Sequence, residues 1–222
     1  MTGAAGPVAV LFDMDGTLVD SQPGIVAAMN ATLRALGEPE RDPEDLRARI
    51  GPPLQVTIAT LLGRAPEEVE DIAEAYRARY REIMRDCTFV YPGIPELLAG
   101  LAAAGHPLAV ATSKAEPLAR ELLDLLGLGR WFAAVRGPVP PSREDKAATI
   151  GRALEALGTR TGVLVGDRHH DVTGARAHGL PTIGAAWGYG GEDELWAAGA
   201  RAIARRPDEV PGLLGSAPGA HA

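Results

Sequence analysis

The sequence predicts an α/β protein: a doubly wound parallel sheet, Rossmann-like, with a helical insert. Three observations predict it. Short apolar runs at 8–12, 108–111 and 163–165 each end in polar residues, respectively Asp13 and Asp15, Thr112 and Ser113, and Asp167. Runs this short and this apolar read as strands buried on both faces. From residue 91 onward, strand and helix patterns alternate, as in a sheet covered on both sides. Residues 21–90, by contrast, carry helical periods only.

In chain order, Pro23 starts a helix whose apolar positions are Ile25, Val26, Met29, Leu33 and Leu36, ending at Gly37. A polar, Pro-rich connection spans 38–43. A second helix holds Leu46 and Ile50 and stops at Gly51-Pro52-Pro53. Leu54, Ile58, Leu61 and Leu62 mark a third. A charged helix over 66–85 places Val69, Ile72, Ala73, Tyr76 and Tyr80 on one face. No strand is expected in this stretch. The core resumes with helices at 94–105, 118–126, 146–157, 172–178 and 192–198 and strands at 108–111, 132–135, 163–165 and 181–185. One turn is expected at 210–214, followed by a frayed tail. The domains are therefore 1–20 with 91–222 as the α/β core, and 21–90 as the helical insert.

Composition narrows the function. A hydrophobic content of 46% and a charged content of 23% are those of a soluble globular protein. A net charge of −7 argues against nucleic acid and anionic membrane as partners. No run approaches a membrane span, and 1–7 does not read as a signal peptide. With Cys87 as its one cysteine, no intrachain disulfide can form, which fits the cytoplasm. Of 22 basic residues only Lys114 and Lys146 are lysines, so their places in the fold are informative.

The chemistry gathers at the carboxyl ends of the strands, where open α/β sheets bind ligands. Asp13 and Asp15 can hold a hard cation such as Mg²⁺, and the turn at Gly16 and Thr17 can aim amide groups at an anion. Asp167, Thr112, Ser113 and Lys146, at a helix start, can reach the same edge. Two or three acids, two hydroxyls and an ammonium are what phosphoryl transfer to a carboxylate requires. Asp13 is the expected nucleophile and Asp15 the general acid, then base. Mg²⁺ is expected on Asp13, the backbone carbonyl of Asp15, and Asp167. Gly16, Thr112, Ser113 and Lys146 are expected on the phosphate. Asp171 is expected to cap the following helix and to support the metal ligands from behind. Lys114 has two readings, a solvated helix-start charge and a site cation. His169 and His170 read as loop residues facing solvent or the insert, and Trp187 and Tyr189 as packing and loop-shaping groups. Arg47 and Arg49 read as solvated helix charges, with a contact to the substrate's anionic end as the alternative.

Asp13-Met14-Asp15-Gly16-Thr17-Leu18, then Thr112, then Lys146, then Val165-Gly166-Asp167-Arg168-His169-His170-Asp171 resembles, in order, the four motifs of haloacid dehalogenase-like hydrolases. Ile50-Gly51-Pro52-Pro53-Leu54 and Trp187-Gly188-Tyr189-Gly190 look like the phosphoglycolate phosphatase-like branch. Many relatives carry Lys-Pro at the third motif, where this chain has Lys146-Ala147. The resemblance makes the insert a cap domain that closes over the site and selects substrate. It implies a Mg²⁺-dependent phosphatase acting on a small phosphorylated metabolite, as a monomer or homodimer. A sugar phosphomutase of the β-phosphoglucomutase kind is the alternative, and a non-catalytic phosphate-binding protein a more distant one. The family's phosphonate hydrolases use a lysine of the cap, and the insert has none.

Overall fold

The computed structural model describes residues 7–215. Strand β1 (Val10–Phe12) leads through a tight loop to β2 (Val19–Asp20). Four helices follow: α1 (Gln22–Ala35), α2 (Pro43–Ala48), α3 (Leu54–Leu62) and α4 (Glu70–Ile83). After β3 (Phe89–Val90) come α5 (Ile94–Ala103), β4 (Leu108–Ala111), α6 (Glu116–Leu125), β5 (Ala134–Arg136) and α7 (Lys146–Ala156). The chain ends with β6 (Val163–Gly166), α8 (His169–Arg176), β7 (Thr182–Ala185), α9 (Glu192–Ala198), β8 (Ala202–Ala204) and α10 (Val210–Leu213).

Six strands form one parallel sheet in the order β5-β4-β1-β6-β7-β8, with β1 inside it. Its side chains divide by the two-residue period of a strand. Phe12, Val110 and Val165 face one apolar layer that includes Leu98 and Leu122. Leu11, Ala109 and Leu164 face the other, formed by Ile150 and Leu154 of α7 and Ala175 of α8. Register fixes the site. Phe12 lies level with Val110 on one side and Val165 on the other, and the Asp13 N–H donates to the Val165 carbonyl at 2.9 Å. Asp13, Thr112 and Asp167 therefore leave the sheet at nearly one level.

The insert packs α1 against α4. Met29 and Leu33 meet a buried α4 face of Ile72, Ala73, Tyr76 and Tyr80. Asp42 caps α2 by accepting the Glu44 N–H at 2.9 Å, with Pro43 at the first helical position.

The structure corrects several expectations. Residues 21–90 do contain a strand: Phe89 and Val90 pair antiparallel with Asp20 and Val19, joining the insert's entry to its exit. Two residue pairs are too few to leave a period in the sequence. The sheet also has a sixth strand, β8, whose Ala-Ile-Ala reads as a weak strand former. The strand expected at 132–135 is shifted to Ala134–Arg136, because a 3-10 turn over Gly129–Trp131 takes the Phe132 N–H, which donates to the Gly129 carbonyl at 3.2 Å. Helix α8 starts at His169, so the two histidines stand in its first turn and not in a loop. The turn near 210 forms, while the rest of the expected tail lies outside the described residues.

Candidate active site

Lys146, the first residue of α7, is buried and central. Asp145 caps that helix by accepting the Ala148 N–H at 2.8 Å, which sets where α7 begins. The Lys146 Nζ lies 2.7 Å from Asp13 Oδ1, 2.9 Å from Asp171 Oδ1 and 3.0 Å from the Ala111 carbonyl oxygen. Carboxylate oxygens of Asp13, Asp167 and Asp171 all lie within 4.8 Å of one another. Three buried acids share one ammonium, an excess of negative charge that a divalent cation would neutralise. Asp171 thus stands beside the expected ligands. It is not the helix cap: the cap is Arg168, and Asp171, three residues on, accepts the Arg168 N–H at 3.0 Å.

The electrostatics follow from this crowding. Burial pushes the Asp13 carboxyl up to about 7, against the pull of Lys146 and with help from Asp171 and Asp15. Burial, then Asp171 and Asp13, raise Asp167 well above the usual carboxylate range, although Tyr189 N–H (2.8 Å) and the Thr17 hydroxyl (3.0 Å) donate to it. Burial alone would lower Lys146, but Asp13 and Asp171 carry it above an ordinary lysine.

Asp15 has separate partners. Its Oδ1 accepts from Ser21 Oγ at 2.5 Å, and its Oδ2 lies 3.1 Å from Lys114 Nζ. That ammonium also donates to Tyr80 of α4 at 3.2 Å and sits 4.2 Å from the centre of its ring. Of the two readings of Lys114, the structure gives the site cation. Both lysines of the chain are therefore in the site, one for each aspartate of the first loop. The carboxylate of Asp15 stands outside the acid cluster, which leaves its backbone carbonyl as the expected metal donor.

The expectation for Gly16 needs correction. Its N–H is already donated to the Val19 carbonyl at 2.8 Å and does not face an anion. Its φ of 89° and its closeness to Asp167 explain the glycine: a Cβ there would fall 2.2 Å from Asp167 Oδ2. Gly188 and Gly190 likewise press on Asp167, where a Cβ would fall 2.4 Å from its Cβ and 2.1 Å from its carbonyl oxygen. Thr112 is buried, and its Oγ1 accepts the Lys114 N–H at 3.1 Å. Thr112, Ser113, Asp13 and Asp15 line a cavity of about 100 Å³ between the insert and the core.

Other side chains support the site, of which Ser21 and Arg168 were given no role from sequence. Thr17 and Ser21 steady Asp167 and Asp15. The Tyr189 hydroxyl accepts the first amides of α1, Ser21 N–H (2.9 Å) and Gln22 N–H (3.0 Å), and donates to Asp20 at 3.1 Å. Trp187 Nε1 donates to the Thr17 carbonyl at 2.9 Å. Arg168 reaches from the core to the insert, donating to the carbonyls of Ile50 (2.5 Å) and Ala48 (3.3 Å) and to Glu194 (2.9 Å). The signal for the Tyr189 group was the Trp-Gly-Tyr-Gly run itself; Ser21 left none. His169 is held by Glu194 at 2.8 Å, and His170 packs beside Gly51 of the insert.

Residues 10–185 match the family model for haloacid dehalogenase-like hydrolase. The chain is 41% identical over 191 residues to the tyrosine-protein kinase PtkA of Mycobacterium tuberculosis, covering 84% of this chain but only 65% of that one. It is 39% identical to the phosphoglycolate phosphatase of Chromobacterium violaceum over 203 residues, covering 85% and 89% of the two chains. The crystal structure of a predicted phosphatase from Clostridium acetobutylicum superposes with a TM-score of 0.89 at 32% identity, covering 94% of this chain and 98% of that one.

Proposed function

The chain belongs to the haloacid dehalogenase-like hydrolase family, and from that premise we propose that it is a Mg²⁺-dependent phosphatase working through an aspartyl-phosphate. Its substrate is a small phosphomonoester of phosphoglycolate's size, and it acts in the cytoplasm as a monomer or homodimer. Among the described residues no helix is long and apolar enough to cross a membrane. One observation carries the reading: two aspartates two residues apart each have their own lysine, and only one of them joins the acid cluster. That asymmetry supports separate roles for the two, Asp13 as nucleophile and Asp15 as proton carrier.

Asp13, held against Lys146, attacks phosphorus. The bond from phosphorus to the ester oxygen breaks, and Asp15 gives that oxygen its proton. Water then attacks the aspartyl-phosphate and loses its proton to Asp15. The bond between phosphorus and the Asp13 oxygen breaks, releasing phosphate and restoring the carboxylate. Thr112, Ser113 and Lys146 neutralise the charge that spreads over the phosphoryl oxygens. Asp13, Asp167 and the Asp15 carbonyl, backed by Asp171, would hold Mg²⁺, whose charge lets nucleophile and phosphate approach. The insert, as a cap, covers the site and keeps out bulk solvent while admitting the attacking water.

The test is release of phosphate from p-nitrophenyl phosphate with Mg²⁺. Asp13→Asn keeps the shape and removes the nucleophile, so turnover should fall at least a thousandfold, on the order seen when a catalytic nucleophile is lost. Turnover retained in that variant refutes the assignment.

A further inference from the structure

We propose that the cavity beside Asp15 selects phosphate esters with a small apolar leaving group, a short alkyl or single-ring alcohol, over esters whose leaving group carries a carboxylate. This rests on the phosphatase reading above and deepens it. The insert lines the cavity with Ile25, Met29, Leu54 and two tyrosines, and the core adds Leu118. Rings of Tyr76 and Tyr80 stack in parallel, 6.0 Å apart and 7° from coplanar.

Three cations also line the cavity, and each already has an acid partner, although the buried Arg77 Nε makes no hydrogen bond. Arg49 makes two hydrogen bonds to Asp45 Oδ1, at 3.2 and 3.0 Å. Arg77 donates to Glu70 Oε1 at 2.9 Å, while Gln55 holds the other Glu70 oxygen at 2.8 Å. Lys114 is shared between Asp15 and Tyr80. A carboxylate on the leaving group would have to take a cation from one of these partners and leave an acid unpaired in a half-buried place. An alkyl group makes no such demand and gains from each carbon it buries.

The experiment measures kcat/KM with Mg²⁺ for methyl, ethyl and n-propyl phosphate, phosphoglycolate and p-nitrophenyl phosphate. Each added methylene should raise kcat/KM about fourfold. Propyl phosphate should exceed phosphoglycolate at least tenfold. Glu70→Gln frees Arg77 for an incoming carboxylate and should narrow that gap at least threefold. A flat alkyl series, a preference for phosphoglycolate, or an unchanged gap in Glu70→Gln overturns the inference, while p-nitrophenyl phosphate turnover keeps the phosphatase reading standing. A wild-type protein that hydrolyses none of the five, p-nitrophenyl phosphate included, overturns both.

Discussion

Lowering the pH should weaken Mg²⁺ binding by an amount the site predicts. In the metal-free protein Asp13 titrates near 7, because burial outweighs the pull of Lys146. A cation takes only the ionised carboxylate, so a protonated site must lose its proton first. For one such group the apparent dissociation constant scales with one plus the ratio of protonated to ionised forms. With Asp13 at about 7 that factor is roughly 11 at pH 6 and roughly 1.1 at pH 8. Affinity should therefore fall about tenfold over this range, about 1.4 kcal/mol. Asp167, also raised, makes the fall steeper. The same shift fixes the sign of the stability effect. A carboxyl raised in the folded state binds more protons folded than unfolded, so the metal-free protein loses stability as pH climbs from the ordinary value of 3.8 through about 7. Mg²⁺ should restore more at pH 8 than at pH 6. Titration calorimetry at both pH values, in two buffers of different ionisation heat, reads affinity and proton release together. Thermal melts with and without Mg²⁺ check the sign. An affinity independent of pH, with no proton released, refutes the claim that burial governs Asp13.

Two further substitutions test what surrounds the acids. Gly16→Ala puts a Cβ into Asp167 at a φ of 89°, so melting should show a loss of about 2 kcal/mol or more, with the response to Mg²⁺ diminished; a wild-type melt contradicts the packing argument. Arg168→Ala removes the hydrogen bonds from core to insert at Ile50 and Ala48. Charged hydrogen bonds of about 1.5 kcal/mol favour the closed arrangement about tenfold, so KM for p-nitrophenyl phosphate should rise by that order with kcat less affected. An unchanged KM shows that these bonds do not hold the insert down.

The sheet was legible because its strands are buried on both faces, and burial of that kind writes continuous apolar runs such as Val163-Leu164-Val165. The acids were legible because they follow those runs directly. What sequence could not supply is register. Asp167 lies 154 residues beyond Asp13, and only the pairing of Phe12 with Val165 makes them neighbours. Phe89–Val90 and Ala202–Ala204 were lost for a different reason: the first is two residues long and leaves no period, and the second is mostly alanine, a weak strand former. Gly16 was misread because glycine has two uses, a flexible donor loop and a close approach. Only the position of Asp167 decides between them.

The two lysines show how composition can carry structural information that motif order does not. A chain that writes arginine at 20 of its 22 basic positions keeps lysine where a compact ammonium fits and a guanidinium does not. Lys146 Nζ touches three oxygens within 3.0 Å in a space closed by Gly174, where even a Cβ would fall 2.8 Å from the lysine's Cγ. Lys114 Nζ fits between a carboxylate, a phenol oxygen and the ring that bears it. The first ties α7 of the core to Asp13. The second ties Tyr80 of the insert to Asp15, so Asp15 and the cavity share one cation. An anion that drew Lys114 toward itself would also strip Asp15 of its partner, so the shared cation penalises a negative group in the cavity.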